Sequence, residues 1–344
     1  MAIADTQAPG ARVVVLGGGN GTSRLLRGLI PLLQAEKIAS LHALVQMADD
    51  GGSTGRLRAQ YAVGAMGDLS RCMLALSGLR EDIRGEKFLA ALEYRFADGD
   101  FKGHTLRNAL MTALELTSDL DSAIATFARV LQIPKYAGVV PTTLTPLTQQ
   151  VELKGEVLGE GEHFIAHNIE MEGDGLQPGD VKSIFREKDA SLNPRAREVL
   201  ERATHIIIAP GHTYGTILPA LASLGIDPSF SLSSLSAKVV VVMTLLTTPG
   251  QTERWSGEDF VRVYEGYLGR NVDTVVANTD QPLLELVEGQ TWVSFAEKDH
   301  PYQLIQSKLV STEVQHAQVG DSVPRAIVVH DSEKVHDILN PLLV

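Results

Sequence analysis

The amino-acid sequence predicts an α/β fold: a Rossmann-like, doubly wound, mainly parallel sheet with an inserted helical and antiparallel β region. Three observations predict it. Short apolar runs rich in β-branched residues, such as 13–16 (VVVL) and 239–243 (VVVVM), have the character of strands buried on both faces. The runs at 13–16 and 41–47 begin about 28 residues apart, the spacing of a βαβ unit. Several such runs end in a glycine or proline turn that leads into apolar residues at helical spacing.

Each element follows from its local pattern. Residues 1–11 show no apolar periodicity and are expected to be a disordered leader, ahead of a single domain over 12–344. The strand at 13–16 runs into 17–21 (GGGNG), and Leu25, Leu26, Leu29, Ile30 and Leu33 then mark a helix. A second strand is expected at 41–47, and helices at 68–78, 85–95, 105–117 and 121–131. From 138 to 186 the alternation of Thr, Val and Gly predicts antiparallel strands, within a β-rich insertion or subdomain at 138–190. Residues 170–180 read as an acidic, turn-rich loop. Further strands are expected at 205–209, 239–243, 272–277 and 326–329, with a helix at 214–223.

A chain of 344 residues buries about three quarters of its unfolded surface, enough for a large core. With 30 Lys/Arg against 42 Asp/Glu the net charge is −12, which argues against a nucleic-acid polymer as partner. Residues 1–71 reverse that balance, with seven Lys/Arg against five acids. A local phosphate site therefore fits where a polyanion does not. The one cysteine, Cys72, excludes an internal disulfide and a Cys-based zinc cluster. The first residues lack the apolar core of a signal peptide, and no apolar run reaches 18 residues, so a cytoplasmic location is expected and no membrane.

Six loops carry candidate site residues. In the first, Gly17, Gly18, Gly19, Asn20, Gly21 and Thr22 let the backbone approach a phosphate at a helix N-terminus, with Arg24 able to reach back. The third glycine of a dinucleotide fingerprint is missing, and so is the ending of a P-loop; a structural tight turn is the plain alternative. In the second, Asp49 and Asp50 follow a strand, where acids take ribose hydroxyls or hold Mg²⁺. Gly51, Gly52, Ser53, Gly55, Arg56 and Arg58 complete that loop. In the third, Gly67 and Asp68 precede a helix, with Arg71 one turn on; Asp68 also suits an N-cap. The fourth sets His104 and Asn108 one turn apart. The fifth offers Gly211, His212, Thr213 and Tyr214, the last able to stack on a base. Thr244 and Asn278 follow later strands. No nucleophile signature of a hydrolase or kinase is present.

Together these motifs carry a resemblance. GGGNGTSRLLRGL, ADDGGSTGRLR, GDLSRCMLAL, GHTLRNAL and PGHTYGTILPAL stand in the order and spacing of the 2-phospho-L-lactate transferase (CofD-like) superfamily, over roughly residues 12–280. The chain resembles more closely the gluconeogenesis-factor (YvcK-like) branch, on the ADDGGS-x-GR loop at 48–56. The resemblance implies a Rossmann-like core. Its transferases move a phospholactyl-type group from a nucleotide-activated donor to a deazaflavin alcohol with Mg²⁺. Its gluconeogenesis branch implies a cytoplasmic, UDP-sugar-binding factor that supports cell shape. The chain departs from the usual motifs at Asn20, Met66, Lys102, Arg107, His212, Thr244 and Gln251, which bears on ligand identity more than on fold.

The expected function is a regulatory nucleotide-sugar-binding factor; the alternative is a CofD-like transferase. If the chain is an enzyme, Asp49, Asp50 and Arg56 are its catalytic candidates, and Asp49 with Asp50 the metal pair. Mg²⁺ is the expected ion, and no tightly bound organic cofactor is expected. A nucleotide or nucleotide-sugar is the expected partner, a nucleic-acid polymer and a membrane are not, and a homo-oligomer is compatible with the sequence. An NAD-dependent dehydrogenase is disfavoured by the missing glycine and the two adjacent acids.

Overall fold

The structure, a computed structural model, describes residues 10–161, 178–313 and 328–344. Its strands are β1 (Ala11–Gly17), β2 (Ile38–Val45), β3 (Ala137–Pro141), β4 (Gln149–Leu153), β5 (Glu156–Glu160), β6 (Val181–Phe185), β7 (His205–Ile208), β8 (Lys238–Val242), β9 (Thr274–Asn278) and β10 (Gln303–Ser307). The helices that matter below are α1 (Gly19–Gln34), α2 (Gly52–Tyr61), α3 (Met66–Ala75), α4 (Ile83–Glu93), α5 (Leu106–Thr117), α6 (Leu120–Val130), α7 (Pro194–Arg202), α8 (Leu218–Leu224), α9 (Gly257–Leu268) and α10 (Ser332–Leu343).

Seven strands form one sheet in the order β10-β9-β8-β7-β1-β2-β3, every pair parallel. Chain order runs outward from β1 through β2 to β3 on one side, and from β7 through β8 and β9 to β10 on the other. The direction of progression therefore reverses between β1 and β7, where an open parallel sheet leaves a crevice at its carboxyl edge.

Both faces are covered, which is why β1 and its neighbours are apolar without alternation. Val13 and Val15 point into one layer, with Leu25, Leu26 and Leu29 of α1, Leu69 and Met73 of α3, Phe127 of α6 and Leu339 of α10. Val14 and Leu16 point into the other, with Val199 of α7, Leu221 of α8 and Phe260 of α9. The inserted helices α2–α6 lie between β2 and β3, and β4–β6 form a separate antiparallel sheet in the order β5-β4-β6.

Several boundaries differ from expectation. Residues 138–141 belong to β3, the edge of the main sheet and parallel to β2, because alternation sets a strand but not the direction of its partner. β10 has the weak pattern QLIQS of an edge strand and went unpredicted. Ala11 is already buried in β1, inside the expected leader, whose residues 1–9 lie outside the described residues. Residues 326–327 and 170–177 also lie outside them; Val328 and Val329 form no regular strand, and His330 makes one antiparallel bridge to Val310. No helix among the described residues is long and apolar enough to cross a membrane.

Leu26 has no exposed surface and sits where α1 meets the sheet. Leu26→Ala should lower unfolding free energy by about 2–5 kcal/mol in a urea titration. An unchanged midpoint would place that face of α1 outside the packed layer.

Candidate functional site

A cavity of about 660 Å³ opens at the carboxyl edge of β1, β2, β7 and β8, across the point where strand order reverses. Its size falls in the range of small-ligand pockets. Residues 18–21, 49 and 51–54, 67–68, 107–108, 210–213 and 244–249 bring all six sequence loops to its wall.

Three helices start there, and none has a side-chain cap. α1 begins after Gly18, α2 after Gly51 and α3 after Ala65. By contrast α4, α5, α6, α7, α9 and α10 are capped by Asp82, Thr105, Asp119, Asn193, Ser256 and Asp331. An uncapped first turn presents backbone N–H groups and the positive end of the helix dipole. The glycines are needed for close approach. A Cβ on Gly18 would overlap the Asp68 carboxylate, and one on Gly21 would overlap the carbonyl of Pro210 after β7. The turn is pinned from behind by Thr22, whose buried hydroxyl accepts from the Gly18 N–H and donates to the Gly18 carbonyl, both at 2.8 Å.

Two carboxylates share the cavity floor. Asp68 accepts from the Gly19 N–H. Asp49 accepts from the Gly51 N–H at 3.1 Å and from the Thr54 hydroxyl. Burial, and then the charge of Asp68, push Asp49 up to about 7. Burial also raises Asp68, against the pull of Arg71 and Arg107. Arg71 donates through Nη1 to the Asn20 side chain, so it stands over the glycine turn.

The sequence candidates divide into those on the cavity wall and those that support it. Gly18, Gly19, Asn20, Gly21, Asp49, Gly51, Gly52, Ser53, Gly67, Asp68, Arg71, Asn108, Gly211, His212, Thr213 and Thr244 line the cavity. Gly17 and Thr22 lie behind the turn. Asp68 is not an N-cap but sits in the first turn of α3, which starts at Met66. Asp50 turns toward Gly161, so the acid facing Asp49 is Asp68. Gly55 packs against the Asp50 carbonyl, and exposed Arg56 reaches over Gly103. Arg58 donates to the carbonyls of Asp49 (2.7 Å) and Leu147 (2.9 Å), which holds the loop rather than a ligand. His104 stands behind Ser53, Nδ1 to Oγ 2.9 Å, and Asn108 Nδ2 donates to the same hydroxyl at 3.1 Å. Tyr214 has no exposed surface and packs edge-on to Trp255, so it is core and not a stacking platform. Asn278 fixes its own loop through Asp280 and Leu309. His212 accepts a hydrogen bond from the Gly215 N–H at Nδ1, and burial lowers it to about 4, so it is neutral.

Sequence reasoning gave no site role to Thr54, Arg95, Thr216, Thr247, Thr248, Gln290 and His330 on the wall, and noted Arg107 and Gln251 only as departures from the family's motifs. Thr54 lay inside a motif already singled out. Arg107, beside Asn108, had a detectable signal: a charge in the first turn of an apolar helix.

The Asp49 shift has a definite pH consequence. The folded chain keeps a proton on Asp49 up to about 7, while an unfolded aspartate releases it near ~4. That contribution to stability is full below ~4 and is lost as pH rises to ~7. Asp49→Asn does not titrate, so its melting temperature should gain on the parent chain between pH ~4 and ~7. A difference that stays flat with pH contradicts the shift.

Comparison with known proteins agrees with the motifs. The family model described as 2-phospho-L-lactate transferase CofD matches residues 13–319. A putative gluconeogenesis factor of Thermotoga maritima is 32% identical over 332 residues, 95% of this chain and 98% of that one. The gluconeogenesis factor of Listeria monocytogenes is 32% identical over 336 residues, 96% of this chain and 95% of that one. A crystal structure of a UPF0052-family protein from Bacillus halodurans superposes with a TM-score of 0.77 at 25% identity, covering 95% of this chain and 98% of that one. The uncapped helix starts, the glycine turn and the acid pair are thus the site features of a chain that belongs to the CofD family.

Proposed function

We propose that the chain is a cytoplasmic gluconeogenesis factor that binds a UDP-sugar in the cavity at the strand-order reversal and acts by binding rather than by turnover, with a role in cell shape. The observation that carries this reading is the convergence of three uncapped helix N-termini on one cavity, with Arg71 over the first of them. A diphosphate matches that arrangement, because oriented backbone donors and a guanidinium both favour phosphate oxygens. The wall at Thr244, Thr247 and Thr248 is hydroxyl-rich, with Gln251, Gln290 and one acid, Glu288, nearby, which suits a base or sugar. The names of the relatives support the gluconeogenic role.

A second reading, a CofD-like transferase, is favoured by the acid pair. Two buried carboxylates, both raised by burial and Asp49 also by the charge of Asp68, are relieved by a divalent cation, and Mg²⁺ typically takes one or two carboxylates plus substrate phosphates. Asp49 and Asp68 would hold it, where it would neutralise charge on a diphosphate. In this reading Arg71 orients the donor, and the glycine turn excludes water from its phosphates.

Thermal shift with UDP and UDP-N-acetylglucosamine tests the first reading. A ligand at 100 times its Kd should add about 2.7 kcal/mol to stability. Arg71→Ala should weaken binding about tenfold or more, the value of a hydrogen bond to a charged group. No stabilisation by either ligand would overturn it. Transfer to a deazaflavin acceptor, seen by mass spectrometry with Mg²⁺ and a nucleotide-activated donor, would replace it with the second.

A further inference from the structure

Arg107 is 3% exposed and lies on the cavity wall. Its Nη1 donates to the Gly67 carbonyl (2.8 Å), Ser70 Oγ (2.6 Å) and Asn108 Oδ1 (2.8 Å). All three acceptors are neutral. Its Nε is buried without a hydrogen-bond partner. Nη2 makes no hydrogen bond among the described residues and is not among the occluded atoms. Burial and the charge of Arg71 lower Arg107 to about 9, and the more distant acids Glu93 and Asp68 do not restore it. A buried guanidinium held only by neutral groups is costly unless an anion completes it.

The position of Arg107 separates it from the glycine turn. Asp68 lies against Gly18 and Gly19; its neighbour Gly67 lies against Thr54 and Asp49; and the Gly67 carbonyl accepts from Arg107. Arg107 therefore stands on the α5 side of the acid pair, bonded to Asn108 and through it linked to Ser53, while Arg71, the charge that acts on it most, stands over the turn. The charged side chains of the wall around the acid pair are Arg71, over the turn, and Arg95 and Arg107, with Asp49 and Asp68 themselves. Arg24 is committed to Glu313, and Glu288 belongs with the loop near Thr247.

We propose that Arg107 centres a second anion subsite, which takes a single carboxylate carried by the sugar of a nucleotide-sugar. The inference rests on the UDP-sugar reading above and adds the class of sugar: acidic rather than neutral. One guanidinium edge with one open donor matches a monoanion, and Ser53 and Asn108 supply neutral polar neighbours for its second oxygen.

Titration calorimetry with UDP, UDP-glucose and UDP-glucuronic acid tests it. The two sugars differ only in a hydroxymethyl against a carboxylate. The chain should bind UDP-glucuronic acid about tenfold or more tightly than UDP-glucose. Arg107→Gln should bring that ratio close to one and leave UDP affinity within about threefold. Arg107→Lys should keep part of the preference, and decides the matter with the parent ratio if Arg107→Gln does not fold. Equal binding of the two sugars by the parent chain overturns the subsite while leaving the cavity reading intact. An Arg107→Gln variant that loses all three ligands alike makes Arg107 a structural clamp and also overturns it. Failure of all three to bind the parent chain removes the cavity reading and the subsite together.

Discussion

Helix starts need partners for their first N–H groups, and in most of this chain a side chain supplies them. At α1, α2 and α3 no N-cap side chain does, and the one side-chain partner recorded there, the Asp68 carboxylate on the Gly19 N–H, comes from another helix. The three meet because the turn after β1 passes between Asp68 and the Pro210 carbonyl, at distances that exclude any Cβ on Gly18 or Gly21. That close approach joins the β1 turn to the first turn of α3 on one side and to the β7 turn on the other. The cavity, its donors and its acid pair all follow from it.

Charge in this molecule is organised locally rather than globally. The net −12 describes a body that repels polyanions. Inside the cavity, arginines and carboxylates alternate at short range. Asp49 rises because it is buried beside Asp68, while Asp68 is partly restrained by Arg71 and Arg107. Such a site would suit the proposed ligand, which brings phosphates and cations together, and it is pinned by side-chain bonds. Thr22 locks the turn, Arg58 locks the second loop by two carbonyls, and Arg107 locks the start of α3.

Much of this was legible before the structure. Strands buried on both faces must be apolar throughout, so β1, β2, β7, β8 and β9 stood out, whereas the edge strand β10 did not. The β3 segment showed its strand character but not its parallel partner, since periodicity carries no information on direction. Glycine turns located the cavity loops because backbone approach requires a particular residue type. Side-chain direction was not legible. Asp50, Arg56 and Arg58 have the right chemistry, but the geometry of the second loop and α2 turns them away or into structural bonds. Tyr214 sits at a strand end, yet the π-helical turn at Thr213–Ile217 carries its ring into the core. Arg107 was the converse case: its charge in the first turn of an apolar helix was visible in the sequence, but its burial against the cavity was not.

The most direct test of the account is a crystal structure of the chain soaked with a nucleoside diphosphate. The account predicts phosphate density over the Gly18–Gly21 backbone, within hydrogen-bond reach of Arg71 and beside Asp49 and Asp68. Density for the ligand at any other surface, with the glycine turn bare, would contradict it.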